Sequence, residues 1–145
     1  MMWANIALGT LLVIVTVLIH GVGLYVLSRL LKGTAGRLYP QTRMGTVTIM
    51  TATVFGLFLL HSVEIWVWAL AYLWLGAISN LHDALFFSTL SFSTLGAEEI
   101  SVTPEWRLFG SIEGVNGFLL IGWSTAFLIP AWTRHGPLQG DDHHF

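Results

Sequence analysis

Residues 93 to 99 read Ser93, Thr94, Leu95, Gly96, Ala97, Glu98 and Glu99, placing two hydroxyls and two adjacent carboxylates around one glycine. Only 10% of the chain is charged, so the cluster stands out. Its side chains are oxygen donors, the ligand type that hard cations take. A second polar set lies elsewhere: His61 and Glu64 are about one helical turn apart, and His20 sits at comparable depth in an earlier apolar run. Ionisable groups in such surroundings are costly and are expected to pair. Their pairing is open to two readings, a proton-sensitive or metal-binding cluster and a satisfied interhelical contact. No nucleophile–base pair accompanies either set, so no catalytic residues, no enzyme activity and no resident cofactor are expected. The absence of cysteine excludes disulfides and thiolate metal sites, and a net charge of −2 argues against a nucleic-acid partner.

The elements that must position these groups are apolar. Of the 145 residues, 54% are hydrophobic, and the mean hydropathy is +0.72. Those values lie outside the range of ordinary soluble domains and indicate a membrane protein. Segments at roughly residues 3 to 31, 44 to 76 and 107 to 132 are long enough to cross ~30 Å of hydrocarbon at ~1.5 Å per helical residue. No Lys or Arg precedes the first, and its apolar run exceeds a signal core, so it reads as a retained span. Arg29 lies at the end of the first span, Lys32, Arg37 and Arg43 follow it and Arg134 follows the last, whereas Arg107 alone lies in the other connection. The positive-inside tendency then places the chain in the cell (inner) membrane with its N-terminus outside and its C-terminus cytoplasmic. Trp3, Trp66, Trp68, Tyr72, Trp74 and Trp106 fall near outer span ends, as an interfacial aromatic belt would.

Between the second and third spans, residues 83 to 92 ("DALFFSTLSF") open on Asp83 at a plausible N-cap and continue with helical apolar spacing. The stretch is too short to cross, so it must enter and return. Non-helical backbone at membrane depth is tolerated only where protein buries it or water lines it. The chain leaves through Thr103 as N-cap, Pro104 at the first helical position and Glu105 beside it. The expected fold is thus an all-α membrane protein with three transmembrane helices plus a re-entrant pore helix and filter loop. The alternative for residues 82 to 99 is an interfacial helix and a surface turn.

The run "ALFFSTLSFSTLGAEEI" resembles the pore helix and selectivity filter of the potassium-channel superfamily, whose filter reads T-V-G-Y-G-D. Thr94, Leu95 and Gly96 fall on T, V and G, and Ser91 and Ser93 fall on the small hydroxyl residues before them. "GFLLIGWSTAFL" is similar to the inner helix of bacterial two-span channels, with Gly117 on the hinge glycine, Gly122 on a second glycine and Thr125 and Ala126 on a cavity-lining pair. The resemblance implies a pore domain over 44–133, with outer helix 44–76, pore helix 83–92, filter 93–99 and inner helix 104–132. Residues 1–43 are an added span and basic cytoplasmic loop, and 134–145 a disordered cytoplasmic tail. It also implies a homotetramer in membrane lipid around a central pore, in which filter oxygens replace the ion's hydration shell. The added span lacks regularly spaced arginines, so a voltage sensor is not expected.

The departures from the pattern bear on selectivity. Ala97 stands where the family has tyrosine, Glu98 where it has the second glycine, Phe87 at the partner of that tyrosine, and Leu90 where some members bury an acid. Thr94 and Leu95 retain an inner site. Four Glu98 carboxylates facing the axis, ~8 Å apart, would repel by roughly 2 kcal/mol per pair at an effective dielectric of 20, so the ring would hold a cation. The expectation is a weakly selective or sodium- and calcium-permeable channel with Glu98 meeting the permeating ion. The alternatives are a potassium-selective channel using only the lower filter, or a non-conducting channel-like subunit.

Phe118, Ile121, Thr125 and Ile129 share one face of the last helix, as a cavity lining or a packing stripe would. Pro130 reads as a bend at a gate or as a helix terminator. Gly110, Gly114 and Gly117 form a ridge for close helix contact. Glu113 and Asn116 are placed to brace the filter from behind, and the "GDDHHF" end offers weak metal ligands at most.

Overall fold

The computed structural model describes residues 1–38, 43–96, 100 and 102–135. Four helices follow one another: α1 (Met2–Leu38), α2 (Arg43–Trp74), α3 (Leu81–Phe92) and α4 (Arg107–His135), the last preceded by a 3₁₀ turn at Pro104–Trp106. Three stretches, Met2–Gly33, Met44–Trp74 and Pro104–Pro130, are long and apolar enough to cross a membrane. The short α3 is wedged between α2 and α4, and α1 lies against both of them from the other side.

Helix ends fix where α3 sits. At the end of α2, the amide of Gly76 donates to Leu73 and that of Ala77 to Tyr72, with Gly76 at φ +66°. This is a Schellman cap with glycine at its left-handed position. The chain turns over six residues into α3, whose N-cap is Asn80 rather than Asp83: the Asn80 side chain accepts from the Asp83 amide at 2.9 Å. Asp83 instead occupies the first turn, where its charge complements the helix dipole. The Asn80 side-chain amide, 2.6 Å from Asp83 Oδ2, and then His82 hold that carboxyl below the usual carboxylate range. A depressed carboxylate contributes stability above its unfolded pKa, and the contribution is lost as pH falls through the folded value. Acid-induced fraying of α3, followed by amide exchange at its first turn, is therefore expected in the wild type and flattened in Asp83→Asn.

At the other loop, Thr103 precedes Pro104 at the start of the 3₁₀ turn, but its hydroxyl makes no capping bond. The α4 start is held from another helix: Asn5 of α1 donates to the Glu105 carbonyl (2.9 Å) and accepts from the Phe109 amide (3.0 Å).

The core is aromatic at this end of the bundle. Phe109 is in contact with Trp68 (centroids 4.9 Å) and, edge to face, with Tyr72 (5.3 Å), and Tyr72 meets Phe87 (5.1 Å). Trp68 and Tyr72 are fully buried and so are core residues, not members of an interfacial belt. Trp66 and Trp74, on the opposite side of α2, and Trp3 on α1 are exposed as belt residues would be. Helical spacing explains the split, since residues 68 and 72 share one face and 66 and 74 the other.

Pro130 does not end α4, which continues through His135. The expected tail from residue 136 onward lies outside the described residues.

Candidate functional site

The α3 helix points its C-terminal end at the Ser93–Gly96 turn, and three features hold it there. The first is the glycine ridge of α4: a Cβ on Gly110 would meet the Phe87 ring at 3.1 Å, and one on Gly114 the Ser91 carbonyl at 3.5 Å. A Cβ on Gly117 would collide with the Phe92 carbonyl oxygen, and with its carbonyl carbon and Cα at 2.7 Å. The second is Glu113, buried behind α3, which accepts from Tyr72 Oη (2.6 Å) and hydrogen-bonds Ser88 Oγ. Ser88 Oγ also reaches the Ile65 carbonyl at 3.0 Å, joining α3 to α2. The third is Phe92, fully buried with its ring 5.6 Å from that of His61.

Beyond α3 the chain coils instead of extending. Thr94 donates to the Ser91 carbonyl and Leu95 to the Leu90 carbonyl, both at 3.0 Å, a second Schellman cap. Here the left-handed position is Thr94, at φ +62°. A β-branched residue in that region is strained, and such strain clusters at functional segments. The Ser93 hydroxyl is spent on the Thr89 carbonyl (2.7 Å) and the Leu90 carbonyl (3.3 Å). Thr94, Leu95 and Gly96 are exposed. Thr94 and Gly96 edge a recess of about 440 Å³ shared with Ser91 and Arg107. Ala97, Glu98 and Glu99 lie outside the described residues.

Along α4 the side chains divide cleanly. Phe109, Glu113, Asn116, Leu120 and Ser124 are buried against the rest of the chain. Phe118, Ile121, Gly122, Thr125 and Ile129 form an exposed face on the other side. Gly122 has open space around it, in contrast to Gly117. Toward the C-terminal end of that face, Thr125 and Ile129 border an apolar groove of about 520 Å³ formed with Thr53, Val54 and Phe55 of α2.

His20, His61 and Glu64 do come together. His20 Nδ1 is 2.8 Å and His61 Nδ1 is 2.9 Å from the two Glu64 carboxylate oxygens. Ser124 of α4 completes the group, its Oγ 3.0 Å from His61 Nε2 and 3.4 Å from His20 Nε2. Asn116, expected behind the filter, instead donates to Thr16 of α1 at 2.8 Å. From the sequence, Tyr72 reads as a belt residue, and Ser88 and Ser124 do not stand out. Each carries a hydroxyl that meets an acid or imidazole of a neighbouring helix, and the shared depth of the two groups was the available signal.

A family model described as ion channel, the two-span, potassium-channel-like pore type, matches residues 60–133, which include the C-terminal part of α2, all of α3 and nearly all of α4. The chain belongs to that ion-channel family and is an all-α membrane protein. No curated protein and no solved structure matches it significantly.

Proposed function

We propose that the chain is the subunit of a homotetrameric cation channel whose ions pass between four copies. Ser93–Glu99 forms the filter, and the face of α4 carrying Phe118, Ile121, Gly122, Thr125 and Ile129 lines the inner cavity. The observation that supports this most is the pairing of two exposed features on one chain. The Thr94–Gly96 turn and the outward face of α4 are left uncovered, while the other side of α4 is buried from Phe109 to Ser124. Large apolar side chains on a membrane helix need either lipid or copies of the chain against them, and a strained polar turn at the end of α3 is better served by copies, water and ions. Gly117 serves as hinge or as contact point, and Pro130 allows the inner end of α4 to bend.

Glu98 is assigned to the permeating cation, sodium or calcium ahead of potassium, and the orientation in the cell membrane is N-terminus outside and C-terminus cytoplasmic. In liposomes, the purified protein is expected to pass sodium and calcium with weak potassium preference. Glu98→Gln removes the carboxylate ring and is expected to lower calcium relative to sodium permeability on the order of tenfold, the ratio that ~1.4 kcal/mol represents. Unchanged ion preference in Glu98→Gln overturns that assignment, and strict potassium selectivity favours use of the lower filter alone.

One observation favours a second reading, a channel-like subunit that does not conduct. Ser93 to Gly96 are wound as a helix cap with the Ser93 hydroxyl engaged internally. Absence of any cation flux from correctly assembled tetramers selects that reading.

A further inference from the structure

We propose that His20, His61 and Glu64 bind a divalent transition-metal ion of the zinc class, with Ser124 orienting both imidazoles. The donors are His20 Nδ1, His61 Nδ1 and a Glu64 carboxylate oxygen, contributed by α1 and α2. Two imidazoles and one carboxylate suit a borderline ion, and three protein ligands leave a fourth position for water. The ligand atoms all lie within 4.8 Å of one another. Bonds of ~2.0–2.1 Å at a tetrahedral angle separate ligand atoms by roughly 3.3 Å. His20 Nδ1 lies 2.8 Å from one Glu64 oxygen and His61 Nδ1 2.9 Å from the other, so both imidazoles already face the carboxylate, and an ion would enter by displacing those two hydrogen bonds.

A carboxylate only accepts, so in the metal-free chain both Nδ1 atoms carry the hydrogens that Glu64 receives. For two neutral rings, both Nε2 lone pairs then converge on Ser124, at 3.0 and 3.4 Å. A hydroxyl has one hydrogen, so one of the two lone pairs lacks a donor. Binding an ion at the Nδ1 side reverses this arrangement. Each ring shifts its hydrogen from Nδ1 to Nε2, with no proton released, and both N–H groups donate to the two lone pairs of Ser124 Oγ. Metal-bound histidines commonly donate their second ring N–H in this way.

The surroundings fit a closed site. His20 and Glu64 are fully buried, the His20 ring lies 5.2 Å from that of Trp123 and the His61 ring 5.6 Å from that of Phe92. His61, with 17% side-chain exposure where Glu64 has none, marks the side of entry. Bound metal would pin α1, which lies outside the matched channel region, onto α2. The inference does not depend on the channel reading.

The test uses the 145-residue chain in detergent with His143→Ala and His144→Ala as background, so that those two imidazoles do not contribute. After equilibration with zinc and removal of excess, one zinc per chain is expected by elemental analysis. Cobalt is expected to give the intense visible absorption of a tetrahedral site. His61→Ala, at a position with partial exposure, and the near-isosteric Glu64→Gln are each expected to weaken zinc binding at least tenfold. His82→Ala, on the exposed start of α3, should leave it unchanged. Zinc should raise the thermal midpoint of the background protein and not that of Glu64→Gln, a readout available for any variant that folds. Ser124→Ala should keep the stoichiometry and weaken affinity, as a positioning residue would. Sub-stoichiometric zinc in the background protein, or zinc affinity in His61→Ala and Glu64→Gln unchanged from that of the background protein, overturns the proposal.

Discussion

Replacing Gly117 by alanine is expected to destabilise the folded chain by about 1–3 kcal/mol, the usual range for overpacking, whereas the same change at Gly122 is expected to be neutral or to stabilise by up to about 1 kcal/mol. The two glycines lie five residues apart on one helix and differ in what faces them. At Gly117 the added carbon falls on backbone atoms of Phe92, which cannot rotate away as a side chain can. Relief requires α3 to move off α4. At Gly122 nothing lies within 4 Å, so only the helix-propensity gain over glycine remains. Thermal unfolding of both variants in one detergent measures the gap. Because α3 carries Ser93 to Gly96 at its end, Gly117→Ala should also alter ion flux. A pure hinge role for Gly117 makes the opposite forecast, with changed gating and an unchanged melting curve. Identical melting of the two variants rejects the close-contact account.

The membrane architecture was legible because its signals are additive over many residues. Three long apolar runs, with basic residues gathered in one connection, leave few alternatives once a short apolar helix is recognised between them. The glycine ridge was legible for the same reason, since small residues at 110, 114 and 117 recur at helical spacing, and all three meet α3. What one helix says about another was harder to read. On α1, Asn5, Gly9, Leu12, Thr16, His20, Gly23 and Leu27 follow spacings of three and four and form the face turned toward the other helices. Asn5 caps α4, Thr16 bonds Asn116, His20 bonds Glu64, and Cβ atoms on Gly9 and Gly23 would meet Ile112 and Leu60. The stripe mixes polar, small and apolar types, so hydropathy alone does not register it, although its composition suits tight helix packing in lipid.

Local turn chemistry limited the rest. Asp83 and Asn80 are both good N-caps, and only the backbone geometry, extended at Asn80, decides between them. Likewise, a threonine in a left-handed cap runs against its intrinsic preference, so the coil at Thr94 could not be read from residue types. The same α2 face pattern that buries Trp68 and Tyr72 was masked by the abundance of tryptophan near span ends, where interface anchoring and core packing call for the same residue.

Glu113→Ala is expected to cost about 3–5 kcal/mol, while Glu113→Gln should stay within about 1 kcal/mol of the wild type. Alanine removes the acceptor of the Tyr72 hydroxyl and a partner of Ser88, two groups with no exposed surface. An unsatisfied buried hydroxyl costs about 1–3 kcal/mol, and the vacated volume adds a cavity term. Glutamine preserves the shape and the pattern. Its carbonyl accepts from Tyr72, its amide donates to Ser88 Oγ, and the single Ser88 hydrogen remains for the Ile65 carbonyl. Removing the orphaned donor as well, in Glu113→Ala with Tyr72→Phe, should recover part of the loss, because deleting both partners of a buried bond is nearly neutral. The coupling energy from that cycle, measured by thermal or denaturant unfolding in detergent, isolates the pair. Since Ser88 sits in the middle of α3, the same variants report on ion flux: alanine should impair it and glutamine should retain it. Equal losses from alanine and glutamine would place Glu113 outside the bracing of α3 and leave the glycine ridge as its main support.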